Sequence, residues 1–398
     1  MPESAGAKPV APVRGARVGG QLGGGPVFVL EDLLQTDEPI WAVRDLVREA
    51  FGAETAAEGN LETVPYLSGA LATGALHRLR GTTIDGRPWS LFCKVLQHVQ
   101  HWPMLPLMPP EIAADLVNVP WRTELELWSP LIMKTLPDEL RTPRLYRLVE
   151  LPEDRVAVWQ EDVIVSAAPF GFEHFTRAAY LLGRWNARSG TPEHLSTGPA
   201  NGGLREYVTR ALPMRGLQPL TDDELWGHPW LRGHAELRRL LRRLADRIPE
   251  ILDRMDQLPL CLPHGDASPQ NLLVPEAEPD SFVVIDINFH TPHAFGFDLG
   301  QLLVGLIHAG EMPASALPAI ADQIVPSYLE GLRAEGLLLP VADVHWTFAM
   351  SALLRSGFDS FLYALMDDPS PAALATFDER VELCRFLAEQ AAAALDTH

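Results

Sequence analysis

Two apolar runs with polar residues at their ends constrain this chain more than any other part of it. The first reads Leu262-Pro-His-Gly-Asp-Ala-Ser-Pro-Gln-Asn-Leu-Leu-Val274, and the second Val283-Val-Ile-Asp-Ile287. Between them, Val274-Pro-Glu-Ala-Glu-Pro-Asp280 is rich in turn formers. Residues 272–274 and 281–286 are therefore expected to fold back on each other as a hairpin, with Asn271 at its start and Asp286 at its end. That folding would bring Asn271 and Asp286 together beside Asp266. Three oxygen-bearing side chains converging this way suit a hard divalent cation carrying a polyphosphate. Asp and Asn also cap ordinary turns, so the ordered set points to chemistry where either residue alone would not.

Upstream, the first 25 residues are rich in Gly, Ala and Pro, lack the apolar centre of a secretory signal, and read as a flexible tail. Val27 to Leu30 is a short apolar run. Thr36-Asp-Glu-Pro39 is a helix start, and Ile40, Val43, Leu46, Val47 and Phe51 share one face of the helix that follows, with Gly52 to close it. Ser68-Gly-Ala-Leu-Ala-Thr-Gly74 is a small-residue turn before Leu76-His-Arg-Leu-Arg80. Asp85-Gly86 is a second turn before the strand formers Trp89-Ser-Leu-Phe-Cys-Lys-Val-Leu96. A loop of small residues lets backbone N–H groups approach phosphate oxygens, although a plain hairpin turn uses the same residues. Lys94 is more informative. The chain has only three lysines, Lys8, Lys94 and Lys134, and this one interrupts an apolar strand, where it needs either a partner or an edge that reaches solvent.

Residues 101–121, rich in Pro and Trp, read as an irregular insertion or packed loop. Trp121-Arg-Thr-Glu-Leu-Glu-Leu-Trp128 is expected to open a helix holding Leu125, Trp128, Leu131 and Ile132, with Glu124 and Glu126 on different faces. Residues 142–146 and 155–159 read as strands, and Gln160-Glu-Asp-Val-Ile164 as a connector to a helical second part. There Phe175, Ala178, Ala179, Leu182 and Trp185 form one stripe ended by Gly190. Leu237, Leu240, Leu241, Leu244 and Ile248 form another, interrupted at Pro249. Further helices are expected near 298–309, 315–334, 343–366 and 371–395.

The balance of 52 acidic against 32 basic residues gives a net charge of −20. A nucleic-acid groove or an anionic membrane surface is a poor partner for such a chain, whereas an acidic cleft would attract a cationic small molecule. No apolar run reaches the length of a membrane span. Three widely spaced cysteines, Cys93, Cys261 and Cys384, read as reduced buried thiols suited to the cytoplasm.

His264-Gly-Asp-Ala-Ser-Pro-Gln-Asn271 resembles the His-Gly-Asp-x-x-x-x-Asn catalytic loop of the aminoglycoside phosphotransferase family, within the protein-kinase-like superfamily. Ile285-Asp286 is similar to that family's metal-binding Asp, and Asp298, twelve residues on, to an Asp that braces the loop. The resemblance runs from about Pro65 to Leu303. It implies an α+β, two-lobed protein-kinase-like fold with a sheet-rich N-lobe over 26–160 and a mainly helical C-lobe over 161–398. It implies ATP (or GTP) and Mg2+ as cofactors, a small-molecule hydroxyl as acceptor, and a monomer or homodimer with no nucleic-acid or membrane partner.

The resemblance also assigns roles. Asp266 is the catalytic base, and Asn271 and Asp286 hold the metal. Lys94 grips the nucleotide phosphates, positioned by Glu124, because Trp-Arg-Thr-Glu124 is similar to the start of the corresponding family helix. The turn with Ser68, Gly69, Thr73 and Gly74 covers the phosphates, while Glu161 and Val163, within 160–163, offer backbone contacts to adenine. His264 is scaffold. Asp359, Glu161 and Asp162 could meet amines of a substrate, or simply be solvated. Ala294-Phe-Gly-Phe297 stands where the family has Gly-Asp-Pro, and Ala267-Ser268 where it often has His, departures that bear on the acceptor. Gly265 in place of Arg and the short 286–298 interval disfavour a protein kinase.

Overall fold

The computed structural model describes residues 43–66, 70–197, 203–287 and 289–397. The expected tail, the apolar run at 27–30, the helix start at 36–39, and Ser68 and Gly69 lie outside the described residues. The chain divides into two compact units. One contains the described residues up to Pro106 together with Arg144–Asp162, the other Leu107–Pro143 and the described residues from Val163 onward.

The first unit is an antiparallel sheet with a helix on one face. Helix α1 (Val43–Phe51) is followed by strands β1 (Thr55–Thr63), β2 (Thr73–Thr83), β3 (Pro88–Gln97), β4 (Leu145–Leu151) and β5 (Arg155–Glu161). Their spatial order is β1-β2-β3-β5-β4, so β3 is central. Trp89, Leu91, Cys93 and Val95 alternate along β3 and enter one core with Leu46, Val47, Leu79, Ala157 and Trp159, the period of two that a pleated strand imposes. Gly52 at φ +62° ends α1, and Gly86 at φ +81° turns β2 into β3.

The second unit is helical. Helices α2 (Phe172–Ser189), α3 (Ala235–Asp246), α4 (Ile248–Met255), α5 (Asp298–Ala309), α6 (Leu317–Ala334), α7 (Val341–Ala352) and α8 (Pro371–Asp396) carry most of it. The stripe Phe175, Ala178, Ala179, Leu182 and Trp185 is fully buried, as its period requires. Helix α5 is buried from Asp298 through Ile307 and forms the centre of the unit, which is the place for a helix that is apolar all round. Pro249, in the first turn of α4, starts a new helix where α3 stops, since proline fits a helix start and not its interior.

Five expectations need correction. Residues 107–143, expected in the sheet unit, belong to the helical one: Leu127, Ile132 and Leu140 join its core, and Leu140–Arg141 pairs in parallel with Phe282 and Val283. The irregular stretch at 101–121 contains a helix, Pro110–Leu116. The helix expected from Trp121 is a 3-10 helix, Thr123–Trp128, followed by a separate α-helix, Pro130–Thr135. Pro130 forces Ser129 into extended backbone, and Ser129 Oγ then accepts the Ile132 N–H to cap the new helix. Helix 343–366 ends instead at Ala352, passing into a π-helical turn at Leu353–Gly357. The strand expected at 142–146 begins only at Leu145 and runs on to Leu151.

Candidate active site

Leu272–Leu273 pairs antiparallel with Phe282–Val284, which is the hairpin anticipated from the turn formers between them. Ile285 N–H donates to the Asn271 carbonyl at 3.1 Å, so the ladder carries Asp286 to the residue after the one opposite Asn271. Asp286 has φ +61°, a left-handed backbone that a side-chain-bearing residue adopts at a cost and that clusters at functional sites.

Before the hairpin, the loop turns tightly. Ser268 N–H donates to the Asp266 carbonyl at 2.8 Å and Asn271 N–H to the Ser268 carbonyl at 2.9 Å. Asn271 Nδ2 donates to the Asp266 carbonyl at 2.8 Å and to its Oδ2 at 3.2 Å. The amide thus gives its NH2 end to Asp266 and turns its oxygen, a hard ligand, the other way. Gly265, at φ +85°, could carry no side chain, because a Cβ would lie 2.2 Å from the Phe289 carbonyl group.

The loop is held from behind. Asp298, 0% exposed, accepts from Gly265 N–H at 2.8 Å on Oδ1, and from His264 N–H at 3.2 Å and Asn186 Nδ2 at 3.1 Å on Oδ2. This is the brace the resemblance implied. Asn186 also donates to Tyr328 Oη at 3.0 Å, which links α2, α5 and α6 behind the loop. Burial raises the Asp298 carboxyl above its ordinary range, and these donors counter it.

His264 Nδ1 accepts the Asp266 N–H at 3.2 Å, and its ring meets Trp185 edge-on at 5.9 Å. Burial lowers its pKa to about 4. A neutral imidazole engaged with the loop backbone is scaffold, as the sequence reading held.

Asp266 keeps 27% of its side-chain surface. Its depth raises the carboxyl above the usual range, while the neighbouring Arg355 charge pulls it back. Arg355 Nη2 donates to Asp266 Oδ1 at 2.9 Å, and Nη1 to the Gly265 carbonyl. The sequence reading missed Arg355. It sits in Ala352-Leu-Leu-Arg-Ser-Gly-Phe358, a charge inside an apolar run, the same signal that singled out Lys94, but arginine is plentiful here and drew no notice. Asn186, a polar residue on the buried stripe of α2, carried a similar signal.

Asp359 is not solvated surface. Its buried carboxylate accepts from Tyr207 Oη at 2.6 Å and pairs with Arg215 at 3.0 Å. The Asp162 side chain is likewise withdrawn from solvent, paired with Arg78 at 2.8 Å and bonded by Ser90 Oγ.

Of the other candidates, Lys94 and Val163 fall where expected, whereas Thr73 and Gly74, expected in a turn, lie in β2, Glu161, expected in the connector, lies in β5, and Glu124 lies on a 3-10 helix. Lys94 lies in the first unit, on the central strand opposite Leu76 and Val158, and is 8% exposed. The edge-strand alternative is therefore excluded, since β3 has neighbours on both sides. Thr73 and Gly74 begin β2 at an irregularity in its pairing with β3, and the Gly74 carbonyl accepts from Tyr66 Oη at 2.9 Å. Glu161 ends β5. Its N–H donates to the Arg144 carbonyl at 2.8 Å and its carboxylate accepts from Arg144 N–H at 3.0 Å, and across the ladder it stands opposite Leu91 of β3. Glu124, in the second unit, is 6% exposed on the 3-10 helix. Val163 opens that unit's second segment. After it, Glu276 N–H donates to the Ile164 carbonyl and Ser166 N–H to the Val274 carbonyl, each at 2.9 Å, pinning the connector to the turn of the hairpin.

The donor set fits an oxygen-seeking cation. Among the described residues no group of three or more His, Cys, Asp and Glu is placed to hold a metal. Asn271 and Asp286 would therefore supply part of a coordination sphere and leave the remainder to phosphate and water, which is how Mg2+ is ordinarily held.

No protein-family model and no curated protein matches the chain, but solved structures do. A spectinomycin phosphotransferase in complex with ADP and spectinomycin is 12% identical, over 90% of this chain and 99% of that one, with a TM-score of 0.50. An aminoglycoside phosphotransferase from Alicyclobacillus acidocaldarius is 16% identical over 84% and 98%, with a TM-score of 0.45. An amicoumacin kinase in complex with AMP-PNP and Ca2+ is 14% identical over 84% and 88%, with a TM-score of 0.48. At such identities the likeness is one of fold, and the first of the three shows that the chain has the protein-kinase-like fold its loop residues implied.

Proposed function

We propose that this chain is a phosphotransferase that moves the γ-phosphoryl group of ATP to a hydroxyl of a small molecule. The observation that carries the proposal is the convergence of Asp266, Asn271 and Asp286 on a loop braced by Asp298. The fold shared with a spectinomycin phosphotransferase supports it.

In this reading the acceptor oxygen forms a bond to the γ-phosphorus, and the bond from that phosphorus to the β-phosphate oxygen breaks, its electron pair leaving on ADP. The hydroxyl proton passes to the Asp266 carboxylate. Transfer of this kind has a loose transition state, so a carboxylate that orients the hydroxyl is base enough. Mg2+, when bound at Asn271 and Asp286, supplies positive charge to the phosphates. Lys94 takes the α- and β-phosphates with Glu124 as its positioner, the turn through Ser68, Gly69, Thr73 and Gly74 covers them, and the backbone of 160–163, with Glu161 and Val163, meets the purine. Two readings of the acceptor share every one of these residues: a cationic amino sugar or aminoglycoside, which the charge of −20 favours, and a choline- or sugar-type alcohol.

The test is incubation with Mg2+ and γ-labelled ATP against amino sugars, aminocyclitols, nucleosides and choline-like alcohols, with phosphoryl gain read by mass spectrometry. Asp266→Ala is expected to lower transfer by about 10²-fold or more, a normal range for a lost general base, while ATP binding stays within a few-fold. A wild-type chain that neither binds nucleotide nor turns over would remove the proposal. A variant as active as wild type would remove Asp266 from its role.

A further inference from the structure

Arg355 stands 89 residues beyond Asp266 in the chain, yet its side chain, 8% exposed, closes on the loop that holds it. It comes from the π-helical turn Leu353–Gly357 that directly continues α7. Such a π-helical turn is rare and is frequent at functional sites. The guanidinium lies over Phe289 at 4.3 Å and over Phe297 at 5.5 Å from the ring centres. Tyr207 packs edge-on against Phe289 at 6.1 Å and steadies that ring in turn.

The two ends of one planar fork make two different bonds. Nη2 holds Asp266 Oδ1, and Nη1 holds the carbonyl of Gly265, the residue before it. Because the fork is rigid, fixing one bond fixes the other, and the carboxylate is oriented relative to its own backbone. Asn271 Nδ2 meets the opposite oxygen, Oδ2, at 3.2 Å. The carboxylate plane is thus held from both sides.

Burying a guanidinium is costly, and an apolar side chain between Phe289 and Phe297 would serve packing alone at least as well. The charge is explained by what it is aimed at. We infer that Arg355 is a positioning residue for phosphoryl transfer, holding the Asp266 carboxylate in the orientation in which it meets the acceptor hydroxyl; this rests on the phosphotransferase reading above. Lysine cannot take its place, because a single ammonium cannot make both bonds in one plane.

The test compares Arg355→Met and Arg355→Lys in the full-length chain. Mg·ADP affinity is measured by calorimetry, and steady-state kcat and KM with γ-labelled ATP and the acceptor that gains a phosphoryl group in the screen. R355M is expected to lose about 10²-fold in kcat, the order attached to misplacing a reacting group. Its KM for ATP and Mg·ADP affinity should stay within about threefold, as for an interaction made in the transition state. R355K should fall between it and wild type. Guanidinium ion at low millimolar concentration should restore part of the R355M rate. Adding R355M to D266A should slow D266A no further, since residues acting as one unit do not add.

Turnover of R355M within about threefold of wild type would overturn the assignment. So would a full additional loss on the D266A background, or a fall in nucleotide affinity as large as that in kcat. If R355M does not fold, R355K carries the test, and wild-type kcat in R355K overturns the inference. A wild-type chain inactive on every acceptor overturns the phosphotransferase reading and this one with it, whereas an active wild type beside an equally active R355M overturns this one alone.

Discussion

Asp298 accepts from two loop amides and from the Asn186 side chain, and all of its partners are donors. An isosteric carboxamide would point its NH2 end at one or more of them, leaving buried donors unmet at about 1–3 kcal/mol each. Asp298→Asn is therefore expected to lower stability by roughly 2–4 kcal/mol in urea denaturation and to slow transfer more than it weakens nucleotide binding; a midpoint equal to wild type would show that the loop needs no brace. At this scale the sequence was most legible where one residue type is out of place. Lys94 in an apolar strand, and Asp266, Asn271 and Asp286 at the ends of apolar runs, could be singled out because burial of such groups needs a reason. Arg355 broke the same rule from 89 residues away, and nothing local shows which loop a distant arginine will reach. The left-handed backbone of Asp286 had no local signal either, since it follows from the hairpin that ends there.

Helix α2 and helix α6 approach more closely than any pattern of apolar residues foretells. A Cβ on Gly331 would lie 2.0 Å from the Tyr180 carbonyl oxygen, and one on Gly183 would lie 2.2 Å from that of Tyr328. These are backbone atoms that cannot swing aside. The methyl of Gly331→Ala would gain under about 1 kcal/mol in helix propensity and lose about 1–3 kcal/mol or more to overpacking. The variant should therefore melt lower, and because Tyr328 Oη meets Asn186 on the facing helix, the strain should reach the loop behind Asp266. Gly233→Ala, where a Cβ would meet nothing within 4 Å, is the control and should be neutral; equal melting of the two variants would refute the close-contact account. Pro249 interrupts the second stripe as its place in the sequence implies, and the faces of α2 and α3 were readable from their 3.6-residue period. The split at Ser129-Pro130 was not, although the proline was in view, because Leu125, Trp128, Leu131 and Ile132 keep helical spacing across it. The end of α7 at Ala352 was hidden for a related reason: apolar residues continue through the π-helical turn, and periodicity alone cannot tell that the turn has widened.

Across the whole molecule, acid should weaken the fold, and the sign follows from where the histidines lie. Burial lowers His264 to about 4 and His293 to about 3, and lowers His290 as well. All three are buried, with His293 stacked on Phe297 at 3.9 Å. In the unfolded chain each takes up a proton near pH 6.5, whereas in the native chain His264 and His293 stay neutral until pH approaches 4 or 3. The unfolded state therefore binds more protons between these limits, and stability rises with pH throughout that window. At pH 5.5, about one unit below the free value, each of the two loses about 1.4 kcal/mol relative to neutrality. Two effects oppose this. Protonation of surface carboxylates relieves the self-repulsion of a chain with a charge of −20, but at 0.15 M salt the Debye length of about 8 Å screens most of it. Asp266, Asp298 and Asp359 are raised by burial, so taking up protons favours their native state and offsets part of the histidine contribution as the pH falls. The histidine contribution should win between pH 7 and 5.5, lowering the melting temperature by a few degrees in calorimetry at 0.15 M salt, as about 2–3 kcal/mol would in a large domain. A melting temperature that held steady or rose over that interval would mean that these imidazoles are charged, and partnered, in the native chain.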